Sequence, residues 1–131
     1  MESPTAPAFA KHLLVVDDEP HIRNLLARSL EMQCYIVDLA EEGKEAFRKL
    51  TSITFDCILL DLKMPGMSGR EVFQLMEESD PKVAKKVIFI TGDASDPVTR
   101  DFIAKSSNPV VLKPFHLDEV CRQVLNVVQG D

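Results

Sequence analysis

The sequence has no tryptophan, a single tyrosine and only three cysteines. It also lacks any apolar run near the length of about 18 residues that a membrane-spanning helix needs, so nothing in it reads as a span. Basic charge is not in excess: 15 Lys and Arg stand against 21 Asp and Glu, a net charge of -6. That balance argues against a nucleic-acid-binding surface, which requires a basic face. It leaves room for a local metal site, because clustered carboxylates attract hard cations. Cys34, Cys57 and Cys121 form no C-x-x-C pair and no Cys/His set with zinc spacing. Cys57 lies in an apolar run and Cys121 on an apolar helix stripe, so both read as small core residues. An odd number in a compact chain points to a reducing compartment. Residues 1–10 hold Pro4 and Pro7 but neither a basic start nor a long apolar segment. They read as a flexible tail or linker remnant rather than a signal peptide. Residues 11–131 fit one domain, and neither repeats nor low-complexity tracts occur.

What is present is a strict alternation. Leu13 to Val16 forms an apolar run stopped by Asp17-Asp18-Glu19, and Pro20 suits the first turn of a helix. Ile22, Leu25, Leu26 and Ser29, with Leu30, follow helical spacing. Tyr35 to Leu39 reads as a second strand and Gly43 to Leu50 as a second helix, with Ala46, Phe47 and Leu50 inward. Phe55 to Leu60 is a third strand, ended by Asp61. A loop with Pro65, Gly66 and Gly69 follows, and Ser68 to Glu71 matches a capping box opening a third helix with Val72, Phe73 and Met76 inward. Val87 to Ile90 is a fourth strand running into Thr91-Gly92-Asp93. Asp96-Pro97 caps a fourth helix reaching about Lys105. Val110 to Leu112 is a short fifth strand, and a last helix runs from about His116 to Val128.

Five strands alternating with helices imply a parallel sheet covered on both faces with right-handed crossovers. All strand carboxyl ends then meet one edge, where open α/β sheets bind ligands. Asp17, Asp18, Asp61, Thr91 and Lys113 each follow a strand directly and land on that edge. Taken singly, each has a plain reading: a strand terminator, a helix cap, a β-branched strand end or a solvated lysine. Their conjunction points to chemistry. Crowded carboxylates need a compensating cation, and Mg²⁺ takes one or two carboxylates, keeps waters and accepts a phosphate oxygen. Asp61 is then placed as a nucleophile towards phosphorus, with Lys113 and Thr91 holding phosphoryl oxygens and Gly92 leaving room beside them. His12, His21 and His116 share no strand end and receive no catalytic role.

Four segments together make the chain similar to the receiver domains of response regulators in two-component signalling. They are Val15 to Glu19, Leu59 to Gly69, Phe89 to Gly92 and Lys113-Pro114-Phe115, and the likeness runs from about Lys11 to Val128. The resemblance implies a flavodoxin-like (βα)5 three-layer sandwich with strand order 2-1-3-4-5. It implies phosphoryl transfer to Asp61 from a histidine kinase or histidine phosphotransfer protein. Asp18, Asp61 and the Lys63 main-chain carbonyl would bind Mg²⁺, for which Mn²⁺ substitutes, with Asp17 acting largely through water. The protein would be a cytoplasmic phosphoacceptor rather than an enzyme in its own right. It would assist its own phosphotransfer and dephosphorylation, with kinase activity only as part of a hybrid histidine kinase. The face of the fourth helix, fifth strand and last helix would serve a dimer or a downstream protein.

Departures from the family pattern bear on signalling. Val110 stands where an aromatic is usual, and Ser106-Ser107 replaces the frequent Gly-Ala. A signal would then travel through strand 4, helix 4 and strand 5 without that ring. Val110 and Asn108-Pro109 resemble what receivers attached to kinases show, so a hybrid-kinase receiver and a stand-alone regulator both stay open. Lys63 and Asp93, each two residues beyond a site residue, are expected to pair and shield the phosphoryl group from water. Three other readings compete. A flavin binder needs a Ser/Thr/Gly phosphate loop after strand 1, a haloacid-dehalogenase-like phosphatase needs aspartates one residue apart, and a degenerate receiver would act only as an interaction module.

Overall fold

A computed structural model describes residues 10–130; the expected tail over 1–10 lies, but for Ala10, outside the described residues. Five strands, β1 (His12–Val16), β2 (Ile36–Ala40), β3 (Cys57–Asp61), β4 (Val87–Thr91) and β5 (Val110–Leu112), form one parallel sheet in the order β2-β1-β3-β4-β5. This is the expected order. Six helices cover it: α1 (Pro20–Met32), α2 (Gly43–Ser52), α3 (Gly69–Ser79), α4 (Pro81–Ala84), α5 (Pro97–Ser106) and α6 (Leu117–Gln129).

Successive strand residues point to opposite faces, and the core divides accordingly. Leu13, Val15, Leu59, Ile88 and Ile90 pack with Leu26 and Leu30 of α1 and Val120 and Val124 of α6. Leu14, Val16, Leu60, Val87 and Phe89 pack with Ala46 of α2, Val72, Phe73 and Met76 of α3, and Phe102 of α5. Two buried faces explain why the strands are continuous apolar runs rather than alternating ones.

Local chemistry sets the element ends. Ser68 Oγ accepts from Glu71 N at 3.2 Å while the Glu71 carboxylate accepts from Ser68 N, so the capping box is complete. Asp96 accepts from Thr99 N at 3.1 Å and opens α5. α4 was not expected; Asp80 caps it by accepting from Val83 N at 3.4 Å, with Pro81 in its first turn. β2 starts one residue later than expected. Cys34 has φ 70, and Tyr35 N donates to Leu30 O, which keeps Tyr35 in the turn after α1. β3 starts at Cys57, two residues later than expected; just before it Asp56 N donates to His12 O at 2.7 Å, and the Asp56 carboxylate accepts from His12 N at 2.8 Å. The His12 ring also meets Asp38 at 2.8 Å, so the amino end of β1 is stapled to two neighbouring chain segments. In α1 the buried face is Arg23, Leu26, Ala27 and Leu30, while Leu25 is exposed. The expected apolar face is therefore corrected at Leu25. Rings of Phe73, Phe89 and Phe102 pack together with centroids 4.9 to 5.7 Å apart. Val110, paired in register with Phe89, packs against the same cluster.

Candidate functional site

The carboxyl edge of the sheet is built by the loops after β1, β3, β4 and β5. Asp61 is the last residue of β3 and is buried. Its Oδ1 accepts from Lys63 N at 3.1 Å, and its Oδ2 lies 3.3 Å from Lys113 Nζ. Lys113 Nζ also lies 2.8 Å from Glu19 Oε1 and 3.1 Å from Asp17 Oδ2. Asp17 is fully buried. Its Oδ1 accepts from Glu19 N at 2.9 Å, and its main-chain carbonyl accepts from Arg23 Nη1 at 2.8 Å. Asp17 Oδ2 makes no directional hydrogen bond. Its contact with Lys113 is therefore ionic proximity, which leaves lone pairs open to another cation.

Thr91 ends β4 and is buried. Its Oγ1 accepts from Asp93 N at 3.2 Å, which leaves the hydroxyl hydrogen for a further acceptor. Lys113 N donates to Thr91 O at 2.8 Å, so the hydroxyl and the ammonium arms are tied together through main chain. The Lys113-Pro114 bond is cis. A Cβ on Gly92 would sit 3.8 Å from Lys113 Cβ, an ordinary contact, so space alone does not require glycine there. Gly69 is different. A Cβ there would fall 1.9 Å from the Asp61 carbonyl oxygen, so the loop after β3 closes this tightly only with glycine.

Carboxylate oxygens of Asp17, Glu19 and Asp61 lie within 4.8 Å of one another. One ammonium against three carboxylates leaves two negative charges uncompensated. The effect on acidity follows. Burial, and then the Asp17 charge, push Asp61 up from 3.8 to about 6, against the pull of Lys113. Burial disfavours the Lys113 ammonium, but its hydrogen bond to Glu19 and the charges of Asp61 and Asp17 outweigh that and raise it. The hydrogen bond from Lys113 lowers Glu19. The donor set is all oxygen, crowded and under-compensated, which fits a hard divalent cation.

Of the residues singled out in the sequence, Asp17, Asp61 and Lys113 converge directly, and Thr91 joins them on the next strand end. Asp18 is half-buried and does not contribute to the 4.8 Å oxygen group. Glu19, which had no role assigned, does contribute. Arg23 also went unnoticed; it is buried, holds the Asp17 carbonyl and lies 3.6 Å from Glu41. The expected Lys63–Asp93 pair is present at 2.9 Å.

Together these features define a doubly wound α/β domain with an acidic, cation-seeking site at its carboxyl edge. The chain belongs to the response regulator receiver domain family, which it matches over residues 13–125. It is 38% identical over 112 residues to the transcriptional regulatory protein ResD of Bacillus subtilis, covering 86% of this chain and 45% of ResD. It is 32% identical over 114 residues to the response regulator receiver protein CpdR of Brucella abortus, covering 87% of this chain and 93% of CpdR. The chain thus spans under half of one relative and nearly all of the other. The structure of the response regulator protein TrrA from Thermotoga maritima, in complex with Mg²⁺–BeF, is similar at a TM-score of 0.78 and 37% identity. That match covers 89% of this chain and 98% of TrrA. Among the described residues, no helix is long and apolar enough to cross a membrane.

Proposed function

We propose that residues 11–131 form a phosphoacceptor unit in which Asp61 takes a phosphoryl group from a phosphohistidine of a histidine kinase or histidine phosphotransfer protein. A carboxylate oxygen of Asp61 attacks phosphorus, the phosphorus–nitrogen bond breaks, and the imidazole leaves. The observation that carries this reading is the ammonium of Lys113 set within 3.3 Å of Asp61, Asp17 and Glu19. A group already held by carboxylates on the acceptor can turn to an arriving phosphoryl oxygen with a short swing. The Thr91 hydroxyl donates to another oxygen. Asp17, Asp18, Asp61 and the Lys63 carbonyl, with Glu19 nearby, would hold Mg²⁺ or Mn²⁺, which when bound would neutralise charge on the transferred group.

Lys63 and Asp93 flank the approach to Asp61, and their ion pair at 2.9 Å screens the phosphoryl group from attacking water. The domain serves a cytoplasmic relay. β5 and α6 each expose an apolar residue, Leu112 and Leu125, which supports a partner or a second copy on the α5, β5 and α6 face. The test is incubation of wild type and Asp61→Asn with Mg²⁺ and acetyl phosphate, read by intact mass. Gain of one phosphoryl group in wild type only is expected. No gain in wild type, under conditions that phosphorylate a control receiver, would favour a pure interaction module.

A further inference from the structure

A cavity of about 510 Å³ opens beside the carboxylate cluster, between the loop after β3 and helix α5. Its volume is within the range of small-ligand pockets. Asp17, Asp61, Thr91 and Lys113 do not line it, and it borders the phosphoacceptor site at Lys63. Its apolar wall is Leu62, Met64, Val98 and Phe102. Phe102 is braced by Phe73 and Phe89, with ring centroids at 5.7 and 5.3 Å, which puts an aromatic ring on that wall. Val98 is 58% exposed at the mouth.

Charge on the rim is asymmetric. Lys63 is neutralised by Asp93 at 2.9 Å. Asp96 is committed to α5, accepting from both the main-chain N and the Oγ1 of Thr99. Arg70, in the first turn of α3, is exposed and has no ion-pair partner among the described residues. The free cation of the rim therefore lies on the α3 side, across from the aromatic wall. An occupant must match both ends, with a flat apolar body against Phe102 and Val98 and an anion towards Arg70, where the guanidinium can hold a carboxylate in bidentate fashion.

We propose that this cavity is a binding site for a small aromatic carboxylate. The proposal does not depend on phosphorylation of Asp61, and the Asp61→Asn chain is expected to bind equally. The probe is naphthoate, titrated into the isotopically labelled full chain and followed by amide correlation spectra, with the uncharged naphthylmethanol as control. Saturable shifts confined to Leu62, Lys63, Val98, Thr99 and Phe102 are expected, with a dissociation constant on the order of 1 mM. Arg70→Gln should weaken naphthoate about tenfold and leave naphthylmethanol unchanged. Val98→Trp, which plugs an exposed mouth without touching the core, should remove both. Non-saturating shifts, shifts scattered over other surfaces, or equal naphthoate affinity in wild type and Arg70→Gln would overturn the proposal.

Discussion

Replacing Asp61 with asparagine should make the metal-free protein more stable. In the folded chain the Asp61 carboxyl is raised from 3.8 to about 6, first by burial and then by the Asp17 charge. A carboxyl that holds its proton more tightly when folded lowers stability once it ionises. Below about pH 4 both folded and unfolded chains are protonated and there is no penalty. Between about pH 4 and pH 6 the penalty grows, and above that it is complete. The displacement corresponds to about 3 kcal/mol at most. Asparagine removes the charge and keeps nearly the same shape; its one oxygen can still accept from Lys63 N, while Lys113 Nζ gives up the Asp61 contact and keeps Glu19 and Asp17. We therefore expect Asp61→Asn to gain about 1–3 kcal/mol over wild type near pH 7 in chelator. At about pH 5 the gain should be smaller by about 1 kcal/mol. Urea unfolding of both chains at the two pH values measures it directly. Adding Mg²⁺ should stabilise wild type more than the variant and narrow the gap, since a ligand at a hundred times its dissociation constant adds about 2.7 kcal/mol. A variant less stable than wild type in chelator near pH 7, or a gap that does not change with pH, would refute the reasoning.

Gly69→Ala places a methyl group against the Asp61 carbonyl. It should cost about 1–3 kcal/mol in urea unfolding and slow phosphorylation by acetyl phosphate, because the backbone that aims Asp61 must shift. Asn108 Nδ2 donates to the carbonyls of Ala84 and Val87 at 2.9 and 2.8 Å. Asn108→Ala leaves both acceptors unpaired, and thermal unfolding should register a loss of about 1–3 kcal/mol. Changing Lys63 and Asp93 together to alanine opens the approach to Asp61, and the rate of phosphoryl loss, followed by intact mass after donor removal, should rise several-fold. An unchanged rate would remove the shielding role.

The legible parts of this molecule are those where the cause is local. Apolar runs ending in Asp, Thr or Lys gave the strands and the functional edge, and the Ser68–Glu71 and Asp96–Pro97 signals gave two helix starts within a residue. Asp80-Pro81 carries the same signal as Asp96-Pro97, but the single turn of α4 leaves no periodic apolar stripe to read. The illegible parts have distant causes. Arg23 is buried and donates to a carbonyl six residues earlier, and it occupies the inner face of α1 that spacing alone assigns to Leu25. At the start of the third strand the Asp56 carboxylate takes the N–H of His12, 44 residues away. Glu19 entered the acidic group through Lys113, 94 residues away. Side-chain direction at a loop of three adjacent acids is not fixed by spacing, so which of them turn inward could not be read beforehand.

The clasp of His12 on Asp38 and Asp56 bears on how the domain tolerates attachments. It fastens the entry strand at the edge farthest from the acidic site, about 17 Å away along five extended residues. Tugging or crowding on the upstream side is absorbed there, before it reaches the reactive rim. A dye, a tag or another folded unit joined ahead of His12 should therefore leave the chemistry undisturbed, whereas the same cargo grafted between Leu62 and Ser68 would not.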